Sequence, residues 1–222
     1  MQQIIKGIVF DIGGVLAHDV WEGMLLNEEK GLAARCGLDN KQVHQVGREL
    51  WEMFAYQPRK SQNDWIELEK EYWSLFIKRF NLSYSVEELI DLTDDFILPV
   101  KGMNSLLEKL RANGIDLAIC SNNTEFWFHR QMTKLNLYKF FDSSKMIISS
   151  RVGSSKSSSD YRMFQCAVSA LKIDISECLF IDDRNEAVIQ AVNYGITAIL
   201  FPSHSEFGSQ YLTLLLQKMR VF

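Results

Sequence analysis

What this sequence lacks narrows the field first. No stretch approaches the run of about 18 apolar residues needed to cross a bilayer, and no segment couples a strongly basic face to an apolar one. A membrane partner is therefore not expected. Lysine and arginine total 24 against 28 aspartates and glutamates, a formal net charge of −4. Nucleic-acid backbones are held by clustered Lys and Arg that displace counterions, so nucleic acid is not expected as a partner either. A small metabolite fits better. Cysteine is sparse: Cys36, Cys120, Cys166 and Cys178 lie far apart with no CxxC pair. Neither a disulfide framework nor a zinc site is indicated, and buried reduced thiols are expected instead. Met1 to Gly7 runs straight into a strand-like segment, without the charged, apolar and small-residue regions of a leader. The expected location is cytoplasmic. No internal repeat is present, and low complexity is confined to the serine-rich stretch Ser154 to Ser159.

What is there is ordinary globular material, 222 residues with 47% hydrophobic and 23% charged content. The run Gln3-IIKGIVF-Asp11 is rich in Ile and Val, short enough for a buried parallel strand, and stops at a carboxylate followed closely by two glycines. Similar runs recur at Ile115–Ser121, Lys145–Ser150, Glu177–Asp182 and Ile196–Pro202, mostly separated by helical patterns. Strand and helix alternate, which predicts the α/β class: an open parallel sheet with helices on both faces. From about Val20 to Ile97 the alternation stops. Amphipathic stretches such as Lys41-QVHQVGRELWEMF and Asp64-WIELEKEYWSLFIKRF predict an inserted all-helical module. Its aromatics, Trp51, Phe54, Trp65, Tyr72, Trp73, Phe76 and Phe80, are expected to form that module's own core.

In open α/β sheets ligands bind outside the carboxyl ends of the strands, so the residues that follow each apolar run matter most. The first run ends at Asp11, the second at Ser121, the third leads to Lys156, and the fourth ends at Asp182-Asp183. A parallel sheet brings this carboxylate, hydroxyl, ammonium and carboxylate pair to one edge. Phosphoryl transfer needs such a set, because its transition state is handled by positioning and by neutralising charge on the phosphoryl oxygens. Asp11 could attack phosphorus. Magnesium, which prefers hard oxygen ligands, could be held by Asp11, a nearby backbone carbonyl and the Asp182-Asp183 pair. Taken singly the residues carry less: an Asp after a strand is often a turn or cap residue. Their order and spacing carry the inference.

The same residues resemble the signatures of a known family. Phe10-DIGGVL is similar to the first motif of the haloacid dehalogenase-like superfamily, Cys120-SNN to the second, Gly153-SSK to the third and Phe180-IDDRNEAV to the fourth. The local context, Ser121-NNTEFWFHRQMTKLNLYKFFD and Ile148-SSRVG, most resembles the branch containing bacterial sugar phosphatases such as α-glucose-1-phosphate phosphatase. The resemblance implies a Rossmann-like hydrolase core over residues 1–17 and 98–222 with a helical cap over 18–97. It implies a magnesium-dependent phosphatase of a small phosphorylated metabolite, with a sugar phosphate as one candidate. Asp11 would be the nucleophile, Ser121, Asn122 and Lys156 would bind phosphate, and Asp11, the Gly13 carbonyl, Asp182 and Asp183 would hold the metal.

Two positions depart from the family pattern. Most phosphatases of the superfamily carry an aspartate two residues after the nucleophile as general acid and base, and here Gly13 stands there, as in the sugar-phosphatase branch. Without that donor the rate should depend steeply on leaving-group acidity, favouring sugar 1-phosphates over 6-phosphates; His18 and Asp19 are the nearby residues that could replace it, with His18 the first suspect. The third motif lacks its usual proline after the lysine, so a freer loop is expected around Lys156. Three other readings compete. A binding protein that has lost turnover would explain Gly13 but has no need of a nucleophile. A dehalogenase would use Asp11 but leaves the acidic pair unexplained. A phospho-receiver domain has the acidic pair first and the acceptor later, the reverse of this order.

Overall fold

The computed structural model describes residues 4–56, 64–203 and 206–222; the start of the first apolar run and residues 57–63 of the helical stretch lie outside the described residues. Each short apolar run becomes a strand of one sheet. The strands are β1 (Gly7–Phe10), β2 (Asp116–Ser121), β3 (Met146–Ile148), β4 (Cys178–Asp182) and β5 (Thr197–Leu200), in the order β3-β2-β1-β4-β5. Every pairing is parallel. From β1 the chain builds outward to β2 and β3 on one side, then returns to build β4 and β5 on the other. The central strand therefore flanks the switch point where ligand crevices form in such sheets.

Side chains alternate between the two faces, and both faces are covered. Ile8, Phe10, Leu117, Ile119, Leu179 and Ile181 share one apolar cluster with α6 (Met103–Ala112) and α11 (Gly208–Lys218). Val9, Ala118, Cys120, Cys178 and Phe180 point the other way, against α9 (Arg162–Leu171) and α10 (Asn185–Tyr194). A sheet buried on both sides needs near-continuous apolar strands, which is why the runs lack a polar alternation. Among the described residues no helix is long and apolar enough to cross a membrane.

Between β1 and α6 the described residues form the helices α1 (Val20–Leu26), α2 (Leu32–Cys36), α3 (Asn40–Ala55), α4 (Trp65–Phe80) and α5 (Val86–Phe96). Asp19, Asp39, Asp64 and Ser85 cap four of these helices by accepting the backbone N–H three residues on. Ser85 and Glu88 cap each other in a capping box. The aromatic cluster of this segment is not closed on itself, as the sequence suggests. Phe126 and Trp127 of α7 (Glu125–Lys134), the helix after β2, join Tyr72, Trp73, Phe76 and Phe54 in one cluster. Tyr72 lies 5.5 Å from Phe126 and 5.4 Å from Trp127 between ring centroids. The opposite side of the same helix, Phe128 and Met132, packs on the sheet.

The two chain crossings between sheet and helical segment run side by side. Val100 donates its N–H to Leu16 O at 3.1 Å, His18 donates to Leu98 O at 2.9 Å, and Ala17 bridges Pro99. The cysteines are free, with Cys120 and Cys178 buried and Cys36 half-buried. Cys166 is exposed, contrary to the expectation of buried thiols, because α9 turns Met163, Phe164, Ala167 and Leu171 inward and position 166 falls off that face.

Candidate active site

Register fixes the centre of the site. Phe10 pairs with Ile119 on one side and with Ile181 on the other, so the next residues, Asp11 and Asp182, come out of adjacent strands side by side. Asp11 is buried just past β1, with its N–H donated to Ile181 O at 2.9 Å and its Oδ1 accepting from Ile12 N at 2.8 Å. Ser121 closes β2 and is buried at the same edge.

Lys156 reaches this centre from the loop after α8 (Ser149–Val152). Its Nζ is 2.7 Å from Asp11 Oδ2 and 2.5 Å from Asp182 Oδ2, and only 3% of its side chain is exposed. Burial alone would lower the affinity of this amine for its proton. The two carboxylates outweigh it, and the net direction is upward, so Lys156 is a cation here. Asn122 lies beside it, and its Oδ1 accepts the Lys156 N–H at 2.9 Å, so that oxygen positions the lysine loop. The loop has other ties in place of the missing proline. Ser154 Oγ donates to the Asp160 carboxylate at 2.9 and 3.1 Å, Arg162 Nε reaches Asp160 at 2.6 Å, and Ser158 N–H meets Ser155 O at 3.1 Å. The expected freedom of this loop is thus countered by hydrogen bonds among its serines.

Asp183 completes a group of three. One oxygen each from Asp11, Asp182 and Asp183 lie within 4.8 Å of one another. Asp182 Oδ1 accepts from Arg184 N at 2.8 Å and its other oxygen meets Lys156, whereas Asp183 Oδ1 is buried with no hydrogen-bond partner among the described residues. Burial, then the charges of Asp11 and Asp182, push the Asp183 carboxyl up to about 7. Three carboxylates face one ammonium. A buried oxygen of this kind costs free energy unless something pairs with it, and a hard divalent cation fits an all-oxygen donor set.

The turn after β1 is shaped by its glycines. Gly14 has φ +75°, and a Cβ there would lie 2.1 Å from Asp183 Oδ2, so only glycine lets the loop and the carboxylate share this space. Gly13 differs: its backbone is outside the left-handed region, and among the described residues a Cβ there would meet only Asp19 Oδ2, at 3.8 Å. Asp19 and Arg184 are the polar neighbours that the strand-end pattern does not select. Asp19 Oδ1 accepts from Glu22 N at 2.9 Å, and Arg184 Nη2 donates to Asp19 Oδ2 at 3.0 Å and Glu22 Oε1 at 2.8 Å. Burial raises the Asp19 carboxyl above its ordinary range against the pull of the cap and of Arg184. A cleft of about 430 Å³ opens here, lined by Gly14, His18, Asp19, Asp183, Arg184 and Ser203 among others.

Known proteins with this architecture include a crystal structure described as a dehalogenase, with TM-score 0.68, 20% identity and 98% of each chain covered. A HAD phosphatase from Thermococcus onnurineus gives TM-score 0.59 and 20% identity over 89% of this chain and 86% of that one. A HAD family enzyme from Bacteroides thetaiotaomicron, in complex with magnesium and inorganic phosphate, gives TM-score 0.57 and 18% identity over 93% and 99%. These likenesses speak for the fold. No curated protein matches the sequence significantly. The family model described as haloacid dehalogenase-like hydrolase matches residues 5–192, which span β1 through most of α10 and hold Asp11, Ser121, Lys156 and Asp183. The chain belongs to the haloacid dehalogenase-like hydrolases.

Proposed function

We propose that the chain is a magnesium-dependent phosphatase of a small phosphorylated metabolite, with a sugar phosphate the favoured class, working through a phosphoryl group carried on Asp11. The observation that carries this reading is the acidic trio with its single ammonium and its unpartnered Asp183 oxygen. Asp11, Asp183 and Asp182, with the Gly13 carbonyl, would hold the ion. When bound, magnesium would neutralise charge on the phosphoryl oxygens.

The chain's own residues supply the rest. An Asp11 oxygen attacks phosphorus, the bond to the leaving oxygen breaks, and water later attacks phosphorus and cleaves the Asp11 acyl phosphate to release phosphate. Lys156 spends two of its three N–H bonds on Asp11 and Asp182, which leaves one for a phosphoryl oxygen. Ser121 Oγ and Asn122 Nδ2 are the neutral donors at the same edge. Residues 18–97 serve as the cap over this edge and read the rest of the substrate.

The dehalogenase reading shares the attacking Asp11, but it leaves the buried Asp183 oxygen without a purpose. A binding protein without turnover has no need of Asp11 beside Lys156. Assay of a panel of phosphate monoesters with and without magnesium tests the proposal, together with binding of beryllium fluoride as a phosphoryl mimic. Turnover and mimic binding should both require the metal. Mimic binding of equal strength without magnesium would contradict it.

A further inference from the structure

Gly13 occupies the place where most phosphatases of this family carry their proton donor, yet its backbone does not call for glycine. Space is what the missing side chain provides. The one atom a Cβ at position 13 would meet within 4 Å is Asp19 Oδ2, so the Asp19 carboxylate lies on the side to which a residue-13 side chain would project. Asp19 gets there by tertiary placement. The crossing strands fix His18 N to Leu98 O, and the next residue turns into α1 with one carboxylate oxygen capping Glu22 N. The other oxygen faces Gly13 and Arg184. The same cleft is lined by Gly14 and by Asp183, so Asp19 shares it with one member of the acidic trio.

We infer that Asp19 is the proton donor and acceptor that position 13 lacks, an inference that rests on the phosphatase reading. In the first half-reaction the phosphorus–oxygen bond to the leaving group breaks and that oxygen takes the proton from the Asp19 carboxyl. Arg184, 3.0 Å from Oδ2, steadies the carboxylate that results. In the second, water attacks phosphorus, its proton passes to Asp19, and the bond to Asp11 breaks. Protons balance over the cycle. Arg184 is here a positioning residue, since it acts through Asp19. His18, exposed and with its backbone tied to Leu98, is not needed for the transfer.

The test is the dependence of kcat/KM on the leaving group, from activated aryl phosphates to a simple alkyl phosphate, at saturating magnesium. Asp19→Asn keeps the helix cap, because asparagine caps as well as aspartate, so folding is not the variable. The parent should show a shallow dependence. Asp19→Asn should lose about 100-fold or more on the alkyl ester and only a few-fold on the most activated aryl ester, by the usual range of acid catalysis. Introducing Gly13→Asp into the Asp19→Asn background should restore at least about tenfold on the alkyl ester, a recovery that a purely structural role of Asp19 would not give. A parent already as steep as Asp19→Asn, or a loss equal across all leaving groups, would overturn the inference while leaving the phosphatase reading in place. A parent inert toward every phosphate ester with magnesium would overturn both.

Discussion

Asp183 carries a distinct burden at the active edge. Asp182 is spoken for by Lys156 and Arg184 N, while Asp183 keeps a buried oxygen with no partner and lies against Gly14, where no side chain fits. On the proposed assignment, removing Asp183 would strike the ion, whereas removing Ser121 would take away only a donor to phosphate. Asp183→Ala should weaken magnesium binding, measured by calorimetry, at least about tenfold more than Ser121→Ala does, since it removes a charged metal ligand. Equal losses of metal affinity would show that these two roles are misassigned. The residues of this edge were legible in the sequence because parallel strands deliver their terminal side chains to one place, and Asp11, Ser121 and Asp182-Asp183 each close an apolar run. Asp19 was legible only as one of two neighbours of the first motif. Its approach to Gly13 depends on the crossing at Leu98, some eighty residues further along the chain, and local pattern carries no such information.

Helix α7 joins the two halves of the molecule, and it does so with charge as well as with aromatic rings. Glu69 of α4 is fully buried and accepts from Arg130 Nε of α7 at 2.7 Å, while Arg130 Nη1 reaches Asp94 of α5 at 3.1 Å. Trp65 stacks on His129 at 5.7 Å beside them. Burial pushes the Glu69 carboxyl up to about 7 despite the opposing Arg130. A folded-state value above the ordinary 4.5 means that the native protein holds this proton more tightly than the unfolded chain. The stability contribution of Glu69 is then fully present below about 4.5 and is lost as pH rises through about 7. The stability of the parent relative to Glu69→Gln, which does not titrate, should fall by about 1–3 kcal/mol across that window. A difference that stays constant with pH would contradict the assignment. Helical periodicity located α3 and α4, and the apolar runs located the strands. The role of α7 was hidden because Phe126, Trp127 and Phe128 are consecutive, so the helix is apolar on two faces and the sequence does not say which face meets which neighbour.

At the scale of the whole molecule, that shared cluster predicts how the protein comes apart. Trp127 is 2% exposed and sits in the helical segment's core while its own helix rests on the sheet. Sheet and helical segment should therefore unfold in one cooperative transition, with far-UV circular dichroism and tryptophan fluorescence coincident. Trp127→Ala should lower the stability of that single transition by about 3–5 kcal/mol, the usual cost of emptying a buried aromatic site. Two separated transitions in the parent, with the substitution moving only one, would contradict a jointly held core. The central claim, however, concerns chemistry at one atom. Asp11→Asn preserves size but removes the nucleophilic charge and one of the two acceptor oxygens that meet Ile12 N and Lys156 Nζ, and the measurement is steady-state hydrolysis of an activated aryl phosphate with saturating magnesium. Metal-dependent turnover is expected of the parent and none detectable above background of Asp11→Asn, whereas turnover by that variant at a substantial fraction of the parent rate would show that Asp11 is not the nucleophile.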